Sequence, residues 1–150
     1  MGEKSGDLGG FFKRLTRLSG IIHGSKSGSS TKAFQPGQAL VEEGKAGKAL
    51  YLISRGQVEI RKAVATGGHR VIGVRGEGDA IGEMALVDDE PHSASAIATE
   101  ETETMVMSRE EFNRHLDEMD PFMREIVCLL VRRGRLMADM LAEDVETSDP

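Results

Sequence analysis

The stretch GEMALVDDEPHSASAIA, residues 82–98, gathers the groups most able to do chemistry in this 150-residue chain. Gly82 opens a small-residue turn, Glu83 brings one carboxylate, and a short apolar run leads into an acidic loop of Asp88, Asp89 and Glu90. His92 and an Ala/Ser-rich strand beginning near Ser93 and Ala94 complete it. This succession suits the holding of a small polar ligand, since a carboxylate accepts from hydroxyl groups and a serine hydroxyl both donates and accepts. An imidazole, with an ordinary pKa of about 6.5, adds a group whose charge changes near physiological pH.

Other chemistries are poorly served. His23, His69, His92 and His115 stand alone, without His-x-His clustering, so no metal is expected. The chain has no Gly-x-Ser-x-Gly elbow, no phosphate loop and no acid pair in a catalytic setting, and is not expected to be an enzyme. Cys128 is the single cysteine, which excludes an internal disulfide; its neighbours Ile126, Val127, Leu129 and Leu130 predict a buried structural thiol.

The elements that must position residues 82–98 are short. From Lys32 to Ser108 β-like runs alternate with glycines, and YLISRGQVEIR carries its apolar positions at a period near two across the turn Arg55-Gly56. Many short strands with turn signals between them predict a β-roll or sandwich. After Ser108 the pattern becomes helical. Ser108 and Glu111 form a capping box, and Asp120-Pro121 supplies an N-cap and an N1 proline for a second helix. That helix has two neighbouring apolar stripes: Phe122, Ile126, Leu129, Leu136 and Met140 with Arg133 in the middle seat, and Met123, Val127, Leu130, Met137 and Leu141. Gly134 inside it costs about 1 kcal/mol against alanine and points to close packing, a bend or fraying.

The organisation expected is an amphipathic arm and linker over residues 1–31, a β-roll over 32–118, a C-terminal helix over 119–142 and an acidic tail over 143–150. Residues 8–22 place Leu8, Phe11, Phe12, Leu15, Leu18 and Ile22 at helical spacing with cations between them. Such an arm docks on the body, docks on a protein partner or rests on a membrane surface. Residues 23–32, rich in Gly and Ser, read as a flexible linker. The formal net charge is −6, yet residues 8–41 hold Lys13, Arg14, Arg17, Lys26 and Lys32 and no acid, so a basic arm precedes an acidic body. General nucleic-acid binding is disfavoured by that balance. No run approaches the roughly 20 apolar residues that cross a bilayer, and no secretion signal opens the chain, so a cytoplasmic protein is expected.

Two blocks, FQPGQALVEEGKAGKALYLISRGQVEI from Phe34 to Ile60 and GEGDAIGEMALVDDEPHSASAIATEETETMVMSREEF from Gly76 to Phe112, together resemble the cyclic nucleotide-binding domain family. This is the domain of catabolite-activator-type regulators, kinase regulatory subunits and cyclic-nucleotide-gated channels. The resemblance implies a mainly β fold: an eight-stranded, jelly-roll-like β-roll with an N-terminal helix and with C-terminal helices that cap the ligand and transmit its presence.

It also implies a site for cAMP or cGMP at Gly82, Glu83, Met84, Ala85, His92, Ser93 and Ala94. Glu83 would accept from the ribose 2′-hydroxyl and Gly82 would permit close backbone approach. The amides of Met84 and Ala85 would face the phosphate, with the Ser93 hydroxyl beside it. The family's phosphate arginine would stand where this chain has His92, which lacks the permanently charged fork of a guanidinium. Asp88, Asp89 and Glu90 are expected to raise the histidine's protonation. Two bland readings stay open beside these: Glu83 as a simple helix cap, and His92 as a surface residue.

Regulators of this family read DNA through a helix-turn-helix beyond the long helix; the sequence stops about nine residues after Leu141, so that mode is not expected. A homodimer through residues 121–142 and a protein partner are expected instead. Two functions follow: a cAMP or cGMP sensor acting through its C-terminal helices, or a degenerate domain that binds no nucleotide and serves as a protein interaction module.

Overall fold

A computed structural model describes residues 29–143. Eight strands come first in the order β1 (Ser29–Phe34), β2 (Ala39–Val41), β3 (Ala49–Arg55), β4 (Gln57–Ala63), β5 (His69–Gly76), β6 (Ala80–Ile81), β7 (Ser95–Ala98) and β8 (Thr102–Ser108). A short helix, α1 (Glu83–Asp88), interrupts them between β6 and β7, and α2 (Arg109–Glu118) and α3 (Pro121–Glu143) follow β8. The strands form two four-stranded sheets, β1-β8-β3-β6 and β2-β7-β4-β5, with antiparallel pairing throughout. This is the mainly β, eight-stranded roll with C-terminal helices that the sequence predicts. The arm over residues 1–28, with its expected helix and membrane or partner contacts, and residues 144–150 of the acidic tail lie outside the described residues.

The core lies between the sheets, where Phe34, Leu40, Ile53, Val58, Ile81, Ala96 and Ala98 are buried together. Alternation puts them there: in β7 the order Ser95, Ala96, Ile97, Ala98 turns Ala96 and Ala98 inward. Sharp reversals rely on glycine at two places. Gly56 joins β3 to β4 at φ +114, and a Cβ there would lie 2.4 Å from Thr102 Oγ1 and 2.6 Å from Thr102 Cα.

Two expectations need correction. The segment read as linker through Lys32 is already strand, because Ser29, Ser30, Thr31 and Lys32 pair with Met107, Val106, Met105 and Thr104 of β8. Backbone ladder bonds hold it, so the absence of apolar side chains gave no warning. Cys128 is half-buried, not buried.

In α3 it is the second half that packs, and the first half that is left largely exposed. Residues 121–130 are largely exposed, whereas Val131 and Ala142 are buried and α3 packs against α1. Arg133 is exposed, and the inward positions are Val127, Val131, Gly134, Ala138 and Ala142. The small residues that allow close approach, not the bulky ones, choose this face.

The Asp120 cap forms as predicted, its Oδ1 accepting from Phe122 N at 3.0 Å and Met123 N at 3.2 Å. Only half of the expected capping box forms: the Ser108 hydroxyl accepts from Glu111 N at 3.2 Å, but the Glu111 carboxylate makes no return hydrogen bond. Among the described residues no helix is long and apolar enough to cross a membrane.

Gly56 offers a direct test of the turn. Gly56→Ala combines a left-handed backbone with contacts that must shift, and is expected to lower unfolding stability by about 2–5 kcal/mol in urea denaturation. A loss under about 1 kcal/mol would mean that the β3–β4 reversal relaxes freely.

Candidate functional site

Gly82 has φ +91, and a Cβ on it would lie 2.9 Å from the carbonyl oxygen of Ala49. Both the dihedral and the space therefore require glycine, and the chain passes tightly against β3 before turning into α1. The first residue of that helix is Glu83, and Ala85 and Leu86 are buried beneath it. The Glu83 carboxyl is pushed above its ordinary range, first by burial; its own backbone amide and the Arg75 charge pull the other way, and Asp79 adds to the rise.

His92 sits across from Gly82, its Cε1 3.6 Å from where a Gly82 Cβ would stand. The backbone of His92 is pinned to the turn after β2: its N–H donates to Lys45 O at 2.9 Å, and its carbonyl accepts from Gly44 N at 2.9 Å. With 9% exposure it is buried, which corrects the surface reading.

These residues border one cavity of about 370 Å³. Gly82, Glu83, Met84, Ala85, His92, Ser93 and Ala94 all line it, with Ile60 of β4, Ile72, Gly73 and Arg75 of β5, and Gly134, Arg135, Met137, Ala138 and Leu141 of α3. The volume lies within the range of small-molecule sites. Helix α3 forms one wall, and the explanation for Gly134 is close packing, since a Cβ there would be 3.3 Å from Met84 Sδ. Among the described residues no His, Cys, Asp and Glu side chains gather in the way a metal ion requires.

Arg135 was not among the sequence candidates, and it shapes the electrostatics of this wall. Its guanidinium grips both oxygens of Asp88, through Nε and through Nη2 at 2.8 Å, and donates to Pro91 O at 2.9 Å and Glu90 O at 3.3 Å. Burial alone would raise the Asp88 carboxyl, but the hydrogen bonds from Arg135 and the Glu90 amide and the Arg135 charge outweigh it and hold Asp88 below its usual range. Lys62 of β4 makes a second clasp: Nζ donates to Ser93 O at 2.6 Å and lies 3.1 Å from Asp139 Oδ1 of α3 and 3.5 Å from Glu43 Oε1.

The acidic loop therefore does not act on His92 as expected. Asp88 is taken by Arg135 and Asp89 by Arg109, so two cations far away in sequence neutralise it. His92 is pushed below its ordinary pKa, first by burial and then by the Arg135 charge. The only sequence signal for Arg135 was its place one residue after Gly134 on the helix face that closes on α1.

A two-sheet β-roll with a ligand-sized cavity between a glycine-led short helix and a C-terminal wall helix defines a small-molecule-binding domain of the regulatory β-roll type. Residues 31–119 match the family described as Cyclic nucleotide-binding domain, and the chain belongs to that family. It is 32% identical to the cyclic AMP receptor protein of Thermus thermophilus over 104 residues, 69% of this chain and 48% of that protein. It is 30% identical to a cAMP-dependent protein kinase regulatory subunit of Pyricularia oryzae over 120 residues, 80% of this chain and 27% of the subunit. The chain thus spans half or less of these relatives.

Among solved structures, the cAMP-bound form of the EAL enzyme Bd1971 superposes with a TM-score of 0.69 at 26% identity, covering 77% of this chain and 30% of that one. The Thermus thermophilus catabolite activator protein gives 0.64 at 27% identity, covering 89% and 59%.

The lowered pKa of His92 has a sign that can be measured. The unfolded chain binds more protons than the folded one between the depressed folded value and about 6.5, so stability is full above that window and falls on acidification. Asp88, whose contribution is lost only on acidification below about pH 4, does not contribute to this slope. Glu83, raised in the folded state, takes up its proton there first and slopes the other way, so the His92 contribution is read as a difference. Between about pH 7.5 and 5.5 the urea midpoint is expected to change more unfavourably on acidification in the wild type than in His92→Asn. Equal slopes in the two proteins would separate His92 from the effect.

Proposed function

We propose that this chain is a non-catalytic regulatory domain that takes cAMP or cGMP into the cavity beside α1 and reports its occupancy through α3 to a protein partner in the cytoplasm. The observation that carries this reading is the shared cavity: all seven residues expected from the family pattern line it together. Glu83 accepts from the ribose 2′-hydroxyl, Gly82 lets the ligand approach the backbone, the Met84 and Ala85 amides meet the phosphate, and the Ser93 hydroxyl adds a donor. His92 stands where the family pattern has arginine, and as a neutral imidazole it gives the phosphate less than a guanidinium fork. Output through α3 is supported by its double role, since Gly134, Arg135, Met137, Ala138 and Leu141 border the cavity while most of residues 121–130 are exposed.

Titration calorimetry with cAMP and cGMP tests this. Micromolar binding is expected in the wild type, with a tenfold to hundredfold loss in Glu83→Ala and a gain of about tenfold or more in His92→Arg, the scale of one charged hydrogen bond. Silence in both the wild type and His92→Arg would overturn the nucleotide reading.

A second reading, a domain that has lost nucleotide and works as an interaction module, is favoured by the apolar face of α3. Phe122 is 72% exposed, and Met123, Leu130, Leu136, Met137 and Met140 of the two neighbouring stripes are also exposed, and adjacent exposed apolar side chains of this kind mark interaction surfaces. A solved relative that is 29% identical over 60% of this chain is described as the regulatory subunit of a cAMP-independent protein kinase A from Trypanosoma cruzi bound to guanosine, with a TM-score of 0.56.

In either reading we assign residues 121–142 to a homodimer seam, because the stripe is long, self-complementary in its apolar character and continuous along one helix. Light scattering on the full chain is expected to give a dimer that Leu129→Glu with Leu130→Glu converts to monomer. An unaltered mass in that variant, or a monomeric wild type, would remove the seam.

A further inference from the structure

We propose that Arg75 is a ligand-contacting residue of this cavity, its guanidinium fork engaging two adjacent acceptor atoms of the bound nucleotide; the proposal rests on the nucleotide reading above. Three cationic or potentially cationic side chains line the cavity: His92, Arg135 and Arg75. Arg135 is already committed, gripping both oxygens of Asp88 and the carbonyls of Glu90 and Pro91. His92 is buried under the Arg135 charge and held toward neutrality.

Arg75 differs from both. Its Nη1 donates to the adjoining carbonyl of Val74 at 3.0 Å, and among the described residues no carboxylate lies within ion-pair distance of it.

Two further features of β5 point the same way. In register, Arg75 stands opposite Val58 and Gly73 opposite Ile60, so Arg75 and Gly73 share the face that carries the core residue Val58 and the cavity residue Ile60. Arg75 is exposed, so its guanidinium borders the cavity while remaining open to solvent, and an arginine on the face that carries Val58 and Ile60 departs from the apolar pattern of that face.

Gly73 then gives the side chain its path. A Cβ at position 73 would lie 3.1 Å from Arg75 Nη1, so the missing side chain is the space over which the guanidinium folds back along the strand. Glu83 and Arg75 border the same cavity. One ligand carrying a hydroxyl and a paired acceptor can therefore meet both groups at once.

A guanidinium fork matches two kinds of paired acceptor on a nucleotide: two phosphate oxygens, or O6 and N7 of a guanine edge. The wild type, Arg75→Gln, Arg75→Lys and Gly73→Ala are each titrated with cAMP, cGMP and guanosine in a calorimeter, and urea midpoints establish that the variants are folded.

The expected result is a tenfold to hundredfold loss in Arg75→Gln, a smaller loss in Arg75→Lys, which keeps charge without the fork, and a loss in Gly73→Ala, which displaces it. Loss for cAMP and cGMP alike with guanosine spared assigns the contact to phosphate. Loss for cGMP and guanosine with cAMP spared assigns it to the guanine edge. Unchanged affinity for all three ligands in folded Arg75→Gln, while Glu83→Ala still loses binding, overturns the Arg75 assignment and leaves the nucleotide reading standing. Absence of binding by the wild type overturns both.

Discussion

The tight passage of the chain at Gly82 is the constraint on which the site depends. A side chain there would strike the carbonyl of Ala49, so only glycine lets β6 end against β3 and α1 begin at once. Beginning there, α1 projects Glu83 into the cavity and presents its own far end, Asp88, to α3. The imidazole of His92 fills the other side of the same passage. One backbone dihedral thus couples the acid, the histidine and the helix wall.

Electrostatics then divides the cations by role. Arg135 and Lys62 tie α3 to the roll, the first through Asp88 and the second through Asp139 and the carbonyl of Ser93. Both clasps engage residues within or beside the cavity-lining segments 82–85 and 92–94, so a change in those segments reaches α3 through charge as well as through packing. The Arg135 and Asp88 side chains are largely shielded from water, where ion pairs are screened little by salt and are costly to break one partner at a time.

Helix α3 is built of two unlike halves. Its C-terminal half lies on α1 through Val131, Gly134, Ala138 and Ala142, small or modest side chains that bring backbones close. Its N-terminal half keeps Phe122, Met123 and Leu130 away from the roll. One helix thus borders the cavity with its second half and exposes apolar side chains along its length.

Much of this was legible in the sequence. Period-two alternation, glycines between short runs and the Ser108 and Asp120 caps are local signals, set by backbone sterics and nearest neighbours, and they specified the roll and the helix starts. The residues from Gly82 to Ala94 were legible because their types and order are contiguous. What the tertiary structure alone decided was which charges meet. Arg109 and Arg135 lie 20 and 47 residues from the acids they pair with, while burial first, and then the Arg135 charge, lower the pKa of His92 where the acidic loop was expected to raise it. Likewise, the bulky stripes of α3 did not say which face meets α1, because that close packing is set by fit, with the missing Cβ of Gly134 beside Met84, and fit depends on the opposing surface. Local conformation is written residue by residue; the pairing of distant charges and the choice of packing face arise only when the chain has folded.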